Sequence, residues 1–243
     1  MPPEPTFLQP ARFIDSDAPN IRELTRDAIK GAGNDTERAI ALYRAVRDRV
    51  LYDPYVDITS PRFYRASDVL ALGRAYCVGK ACLLAAAARA AGIPARVGYA
   101  DVRNHMTSPH HSDKSLQDLT KTYNPYIEGW ITRLYALLGT DVFLWHSYAD
   151  LCVEGRWVKA TPAFNASLCD RLGVHVLEFD GYSDSLFQQF DRAGNRHMEY
   201  VLDRGTFADV PFEKIVADFR THYPALVAKA GLSGDFQAEA VEA

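Results

Sequence analysis

Long hydrophobic runs are missing from this chain. The longest uninterrupted apolar stretch is the eight residues from Ala81 to Ala88, far short of the ~20 that cross a bilayer, so no membrane partner is expected. Cysteine is scarce: four residues, at 77, 82, 152 and 169, with no CxxC pair. That speaks against a disulfide-stapled scaffold and favours free thiols. Basic surplus is lacking too. Lys and Arg number 27 against 31 Asp and Glu, a net charge of −4, and the cations are scattered, which argues against nucleic acid as a partner. No Walker A motif, strand-borne GxGxxG, EF-hand loop or HExxH occurs, so nucleotide, dinucleotide, calcium and zinc-protease sites lack support and no cofactor is expected. The Met-Pro-Pro-Glu-Pro-Thr start has neither a basic region nor an apolar stretch; no signal peptide is read, and the expected location is cytoplasmic.

What is present has the balance of a soluble globular protein, 48% hydrophobic and 24% charged. Without repeats or composition shifts, residues 1–243 read as a single domain. Residues 1–34 form an N-terminal extension, 104–141 a loop or helical insertion, and 232–243 a fraying tail. Asn20 to Lys30 reads as a short helix. Asn34, with Glu37 three residues on, has capping-box spacing and opens a second helix with Ala39, Leu42, Tyr43, Val46 and Val50 on one face. A third helix runs from about Cys77 to Ala91, with Gly92 and Pro94 beyond its end; apolar nearly all round, it reads as the buried central helix. Ala95, Val97 and Tyr99 alternate as a strand. Val142 to Val153 and Trp157 to Thr161 read as a hairpin turning at Glu154-Gly155, and Val174 to Phe179 as another strand. A helix from Asp209 or Pro211 carries Phe212, Ile215, Val216 and Phe219 on one face. Helices first and strands later make an α+β protein.

Cys77 is the sharpest chemical feature. It lies at a helix N-terminus, where free amide N–H groups and the positive dipole end favour a thiolate; the alternative is a buried structural cysteine. Cys82 and Cys152 read as core fillers and Cys169 as an incidental thiol. A nucleophilic thiol needs a base, and His146, on the 142–153 strand beside Tyr148 and Asp150, is the natural partner; otherwise it is a core or edge histidine. His105, His110 and His111 fit no standard metal spacing, so no metal site is expected.

Ala75-Tyr76-Cys77-Val78, followed by Arg89-Ala90-Ala91-Gly92-Ile93-Pro94-Ala95-Arg96-Val97, resembles the Cys segment of the transglutaminase-like superfamily. His146-Ser147-Tyr148-Ala149-Asp150 with Gly155-Arg156-Trp157 is similar to its His segment, in the right order and at comparable spacing. The resemblance covers about 40–165, with weaker likeness in the flanks to bacterial members. It implies a papain-like core, a central helix carrying Cys77 packed on an antiparallel sheet carrying His146, and Cys-His acyl transfer on a peptide, protein or small amide substrate. Hydrolysis is the expected outcome, and a catalytically degenerate binding or scaffold module the alternative.

The third residue of the family triad is an Asp in an Asp-Pro-Thr step. Here the matching stretch is Ala160-Thr161-Pro162-Ala163, so threonine stands in its place. A two-residue turn at Glu154-Gly155 sets position 163 opposite His146 and makes Thr161 a diagonal neighbour able to orient the ring, without a charge to stabilise an imidazolium. Asp101, Asp180, Asp184 and Asn165 are the other candidate orienters. Tyr76, Trp145, Asp101, Asn104 and Asn165 are candidates for lining a substrate cleft. Nothing in the sequence speaks to oligomeric state.

Overall fold

The computed structural model describes residues 3–104, 134, 137–187 and 198–239. Three helices precede the central one: α1 (Pro19–Ala28), α2 (Asp35–Arg49) and α3 (Ala66–Leu72). A short 3-10 turn, Pro5–Leu8, precedes them; between α2 and α3 lie another, Pro61–Phe63, and β1 (Leu51–Tyr52), which pairs in parallel with β2 (Arg74–Ala75). α4 (Cys77–Ala90) follows at once. The main sheet is antiparallel, with β3 (Ala95–Asn104), β4 (Val142–Val153), β5 (Arg156–Ala160) and β6 (Met198–Phe207) in the order β5-β4-β3-β6. α5 (Ala166–Leu172), α6 (Phe212–His222), α7 (Pro224–Val227) and α8 (Phe236–Glu239) complete the chain. The protein is thus α+β, a mixture of helices and antiparallel sheet, as its pattern implies. No described helix is long and apolar enough to cross a membrane.

α4 sits where its sequence predicts. Its residues from Val78 to Arg89 are all buried, because α1, α2 and α3 cover one side and β3 and β4 the other. Ile21 and Leu24 of α1 and Leu42, Tyr43 and Val46 of α2 belong to the same core. The α2 N-cap forms as expected, Asn34 Oδ1 accepting from Glu37 N–H at 2.8 Å; in return Glu37 Oε2 accepts from Gly33 N–H at 2.6 Å. At the other end of α2, buried Lys80 of α4 donates to the carbonyls of Arg47 (2.8 Å) and Val50, locking the two helices together. α4 closes on Gly92, which takes φ +82°, with Ile93 N–H bonded back to Ala88.

Gly79, one turn into α4, permits a close helix approach. A Cβ there would lie 2.4 Å from the Phe63 carbonyl oxygen and 3.0 Å from Ala75 Cβ. Gly79→Ala should therefore lower the stability by at least about 2 kcal/mol, as overpacking does; an unchanged urea midpoint would show that the neighbouring turn yields freely.

Two expectations need correction, and one element was missed. Val174–Phe179 is not a strand: it has irregular backbone, and the Leu177 carbonyl accepts from Tyr43 Oη (2.7 Å) and Arg47 Nη1 (3.1 Å) of α2. Side chains there take the bonds a neighbouring strand would supply. The stretch after Gly231 does not fray throughout, because Phe236 is buried between Tyr52 and Tyr55 (ring centroids 5.8 and 5.6 Å). β6 escaped sequence reading altogether. Asp203, Arg204 and Gly205 interrupt its alternation, and its pairing with β3 shifts register twice. Most of the 104–141 insertion, and His105, His110 and His111 with it, lies outside the described residues.

Candidate active site

The Glu154-Gly155 turn has positive φ at both residues, +50° and +76°, the two-residue hairpin geometry whose twist matches the strands. Val153 pairs with Arg156 and Ala149 with Ala160. That register delivers Thr161 to the end of β5, near His146 on β4. There the ladder stops, and Thr161 N–H turns to the Ser185 carbonyl at 2.8 Å while its own carbonyl lies 3.1 Å from Tyr43 Oη.

Cys77, His146 and Thr161 line one partly open cavity. The position of Cys77 follows from α4: Tyr76 is extended (ψ −177°) and the helix begins at the next residue, so Cys77 presents its sulfur beside unpaired amides. Backbone N–H groups of Ser147, Val78 and Cys77 itself favour the thiolate, but burial outweighs them and pushes the thiol up to about 11. His146 is 8% exposed; burial drives its ring down to about 4, against the carbonyl of Leu186, which favours protonation. The Leu186 carbonyl arrives because Ser185 bridges in parallel to Ala160 beside β5. Both reactive groups are therefore neutral around pH 7, and no hydrogen bond joins them: His146 Nε2 has no partner. The bond expected from the imidazole to Thr161 is likewise not formed, for Thr161 Oγ1 is buried and unpartnered.

The other candidate orienters are engaged elsewhere. Asp180 accepts from Tyr182 and Ser183 N–H, Asp184 from Lys159 N–H, and Asn165 Oδ1 from Tyr52 N–H. Of the expected cleft residues, Tyr76 and Asn104 line the cavity; Trp145, Asp101 and Asn165 do not.

Trp145 and Asp101 instead shape the strand that carries His146. Trp145 has φ +59°, a left-handed conformation that costs a non-glycine residue about 1–2 kcal/mol. It sits in a bulge, since Phe143 pairs with Val102 and His146 with Ala100, leaving two residues of β4 against Asp101 of β3. Asp101 Oδ1 accepts from Trp145 N–H at 3.0 Å. Arg204 of β6 holds Asp101 through two bonds of 2.5 and 2.9 Å and lies 4.4 Å over the indole. Asp218 of α6 accepts from both Arg204 and Trp145 Nε1 at 2.8 Å. Bulges beside reactive groups re-aim side chains, and this one sets the backbone immediately before His146.

Sequence reading missed Arg204, Asp218 and the Leu186 carbonyl, which no motif marks. It missed the apolar wall of the cavity too, although Phe219, which it placed on one apolar helix face, supplies part of that wall. Among the described residues no cluster of metal-ligating side chains occurs.

A family model described as the transglutaminase-like superfamily matches residues 22–162, more than half of the chain. No curated protein matches. Among solved structures, the chain is similar to "a putative cysteine protease from Cytophaga hutchinsonii", at 16% identity and a TM-score of 0.46, over 84% of this chain and 46% of that one. It is similar also to "a putative protease from Parabacteroides distasonis", at 14% identity and a TM-score of 0.38, over 64% and 25%. The chain thus spans less than half the length of either.

Proposed function

The chain belongs to the transglutaminase-like superfamily, and from that membership we propose that it carries out thiol-dependent acyl transfer on an amide or peptide bond, with water as acceptor. The observation that carries this reading is the meeting of Cys77, at the amide-rich start of α4, and His146, from β4, on one cavity. Cys77 is the nucleophile and His146 the base. Because both are neutral at rest, the base acts during attack rather than before it. The thiol proton passes to the imidazole as the S–C bond forms, and the N–H groups facing the sulfur stabilise its growing charge. Collapse of the tetrahedral adduct expels the amine, which takes the proton back from His146 and leaves a thioester. Water then attacks, again with His146 as base, and releases the acid and the thiol.

A screen of peptide p-nitroanilides tests this. Activity should vanish in Cys77→Ala and fall about 10²–10⁴-fold in His146→Ala, the usual worth of a general base. Turnover surviving in Cys77→Ala overturns the proposal. The second reading, a degenerate binding module, is favoured by the neutral pair and by the lack of a described carboxylate bonded to the imidazole. Its signature is a Cys77 that no acyl donor modifies.

A further inference from the structure

The cavity at Cys77 has a small polar corner and an apolar body. His146 Nε2, Thr161 Oγ1 and the Tyr76 hydroxyl are buried polar atoms of lining residues without hydrogen-bond partners. The body is walled by Leu138, Phe143, Phe164, Met198, Phe219 and Leu226, among others, and no Asp, Glu, Lys or Arg is among its described lining residues. Tyr223, which also faces it, has its hydroxyl committed at 2.7 Å each to Leu144 N–H and the Val142 carbonyl. A charged group entering this body would give up its hydration and meet no counter-charge among the described lining residues, a cost of several kcal/mol. An alkyl or aromatic group would gain by the area it buries.

We infer that the cavity takes an uncharged, apolar group of medium length, an alkyl chain or an aryl ring, attached to the carbonyl that Cys77 attacks. The carbonyl and its heteroatom fall in the polar corner, where the free His146 nitrogen and Thr161 hydroxyl serve them. Thr161 is on this view a substrate contact, in place of the ring-orienting role its sequence position suggests. That the group is the acyl part of a substrate rests on the acyl-transfer reading; the chemistry of the cavity is tested apart from it.

The test has two arms. In the first, p-nitrophenyl hexanoate, 3-phenylpropionate, glutarate monoester and 6-aminohexanoate are given to the full-length protein. Thioester formation at Cys77 is followed by intact mass, with p-nitrophenolate as the leaving group. The hexanoate and phenylpropionate should acylate Cys77 at least tenfold faster than the two charged esters. In the second arm, Cys77→Ala is titrated calorimetrically with N-butyl-3-phenylpropionamide and with 3-phenylpropionate anion. The neutral amide should bind at least tenfold more tightly than the anion. Acylation at equal rates by charged and apolar esters overturns the inference and leaves the acyl-transfer reading standing. Selective binding of the amide without any acylation upholds the cavity's chemistry and sinks the acyl-transfer reading. Failure in both arms overturns both.

Discussion

Alkylation of Cys77 by iodoacetamide should rise about tenfold per pH unit from pH 6 to near pH 10, with no plateau in the neutral range. The thiolate is the reacting species, and burial pushes this thiol up from its ordinary 9.0 to about 11. A rise of that size cuts the thiolate fraction at pH 7 by about 100-fold, while the greater nucleophilicity of a more basic thiolate returns roughly six- to tenfold (β of ~0.4–0.5). The net expectation is a rate about 10–15-fold below that of a free thiol. His146 protonates only near pH 4. It is therefore neutral throughout the measured range, and His146→Ala should leave this alkylation profile nearly unmoved while it cripples acylation by a bound substrate. Peptide mass mapping across the pH series reads the result. A plateau already reached by pH 6, and lost in His146→Ala, would show a preformed thiolate–imidazolium pair and refute the neutral resting state.

Asp101→Ala should destabilise the protein by about 2–3 kcal/mol, the cost of leaving the buried Trp145 N–H without its acceptor and Arg204 with Asp218 alone. Asp101 is 5% exposed and holds Arg204 through two oxygens while accepting Trp145 N–H. Its removal leaves a guanidinium short of one carboxylate and a strained left-handed residue without its acceptor. Arg204→Ala should cost a similar amount, and the double variant less than the sum, since both single changes remove the same Asp101–Arg204 bonds. Where the single variants stay folded, Cys77 acylation should fall with them, because Trp145 immediately precedes His146. Urea midpoints of the three variants decide it; a loss under about 1 kcal/mol for Asp101→Ala would mean that strand pairing alone maintains the bulge.

Much of this architecture is legible in local pattern, and the reasons are local. The apolar all-round composition of 78–90 requires a helix covered on every side. Asn34 and Gly92 mark helix ends by capping chemistry that acts within a few residues. Glu154-Gly155 is a two-residue turn because both positions accept positive φ, and that turn alone sets the register leading to Thr161. The two segments that resemble the transglutaminase-like superfamily carry Cys77 and His146 themselves, so the pair could be named before any coordinates.

What the sequence by itself determined, then, is the helices up to the central one, the β4–β5 hairpin, and which thiol and imidazole are the candidates for a reacting pair. Tertiary structure decided their chemical state. The ionisation of Cys77 and His146 depends on how completely α4, β4 and the aromatic wall exclude water, and desolvation is a sum over neighbours drawn from the whole chain. The same holds for the hydrogen bond that Thr161 fails to make and for the Leu186 carbonyl beside the ring, which a bridge between Ala160 and Ser185 delivers. The bulge at Trp145 has no local signature either. A tryptophan adopts positive φ only because Asp101, Arg204 and Asp218, contributed by three separate elements, converge on it and offset the strain.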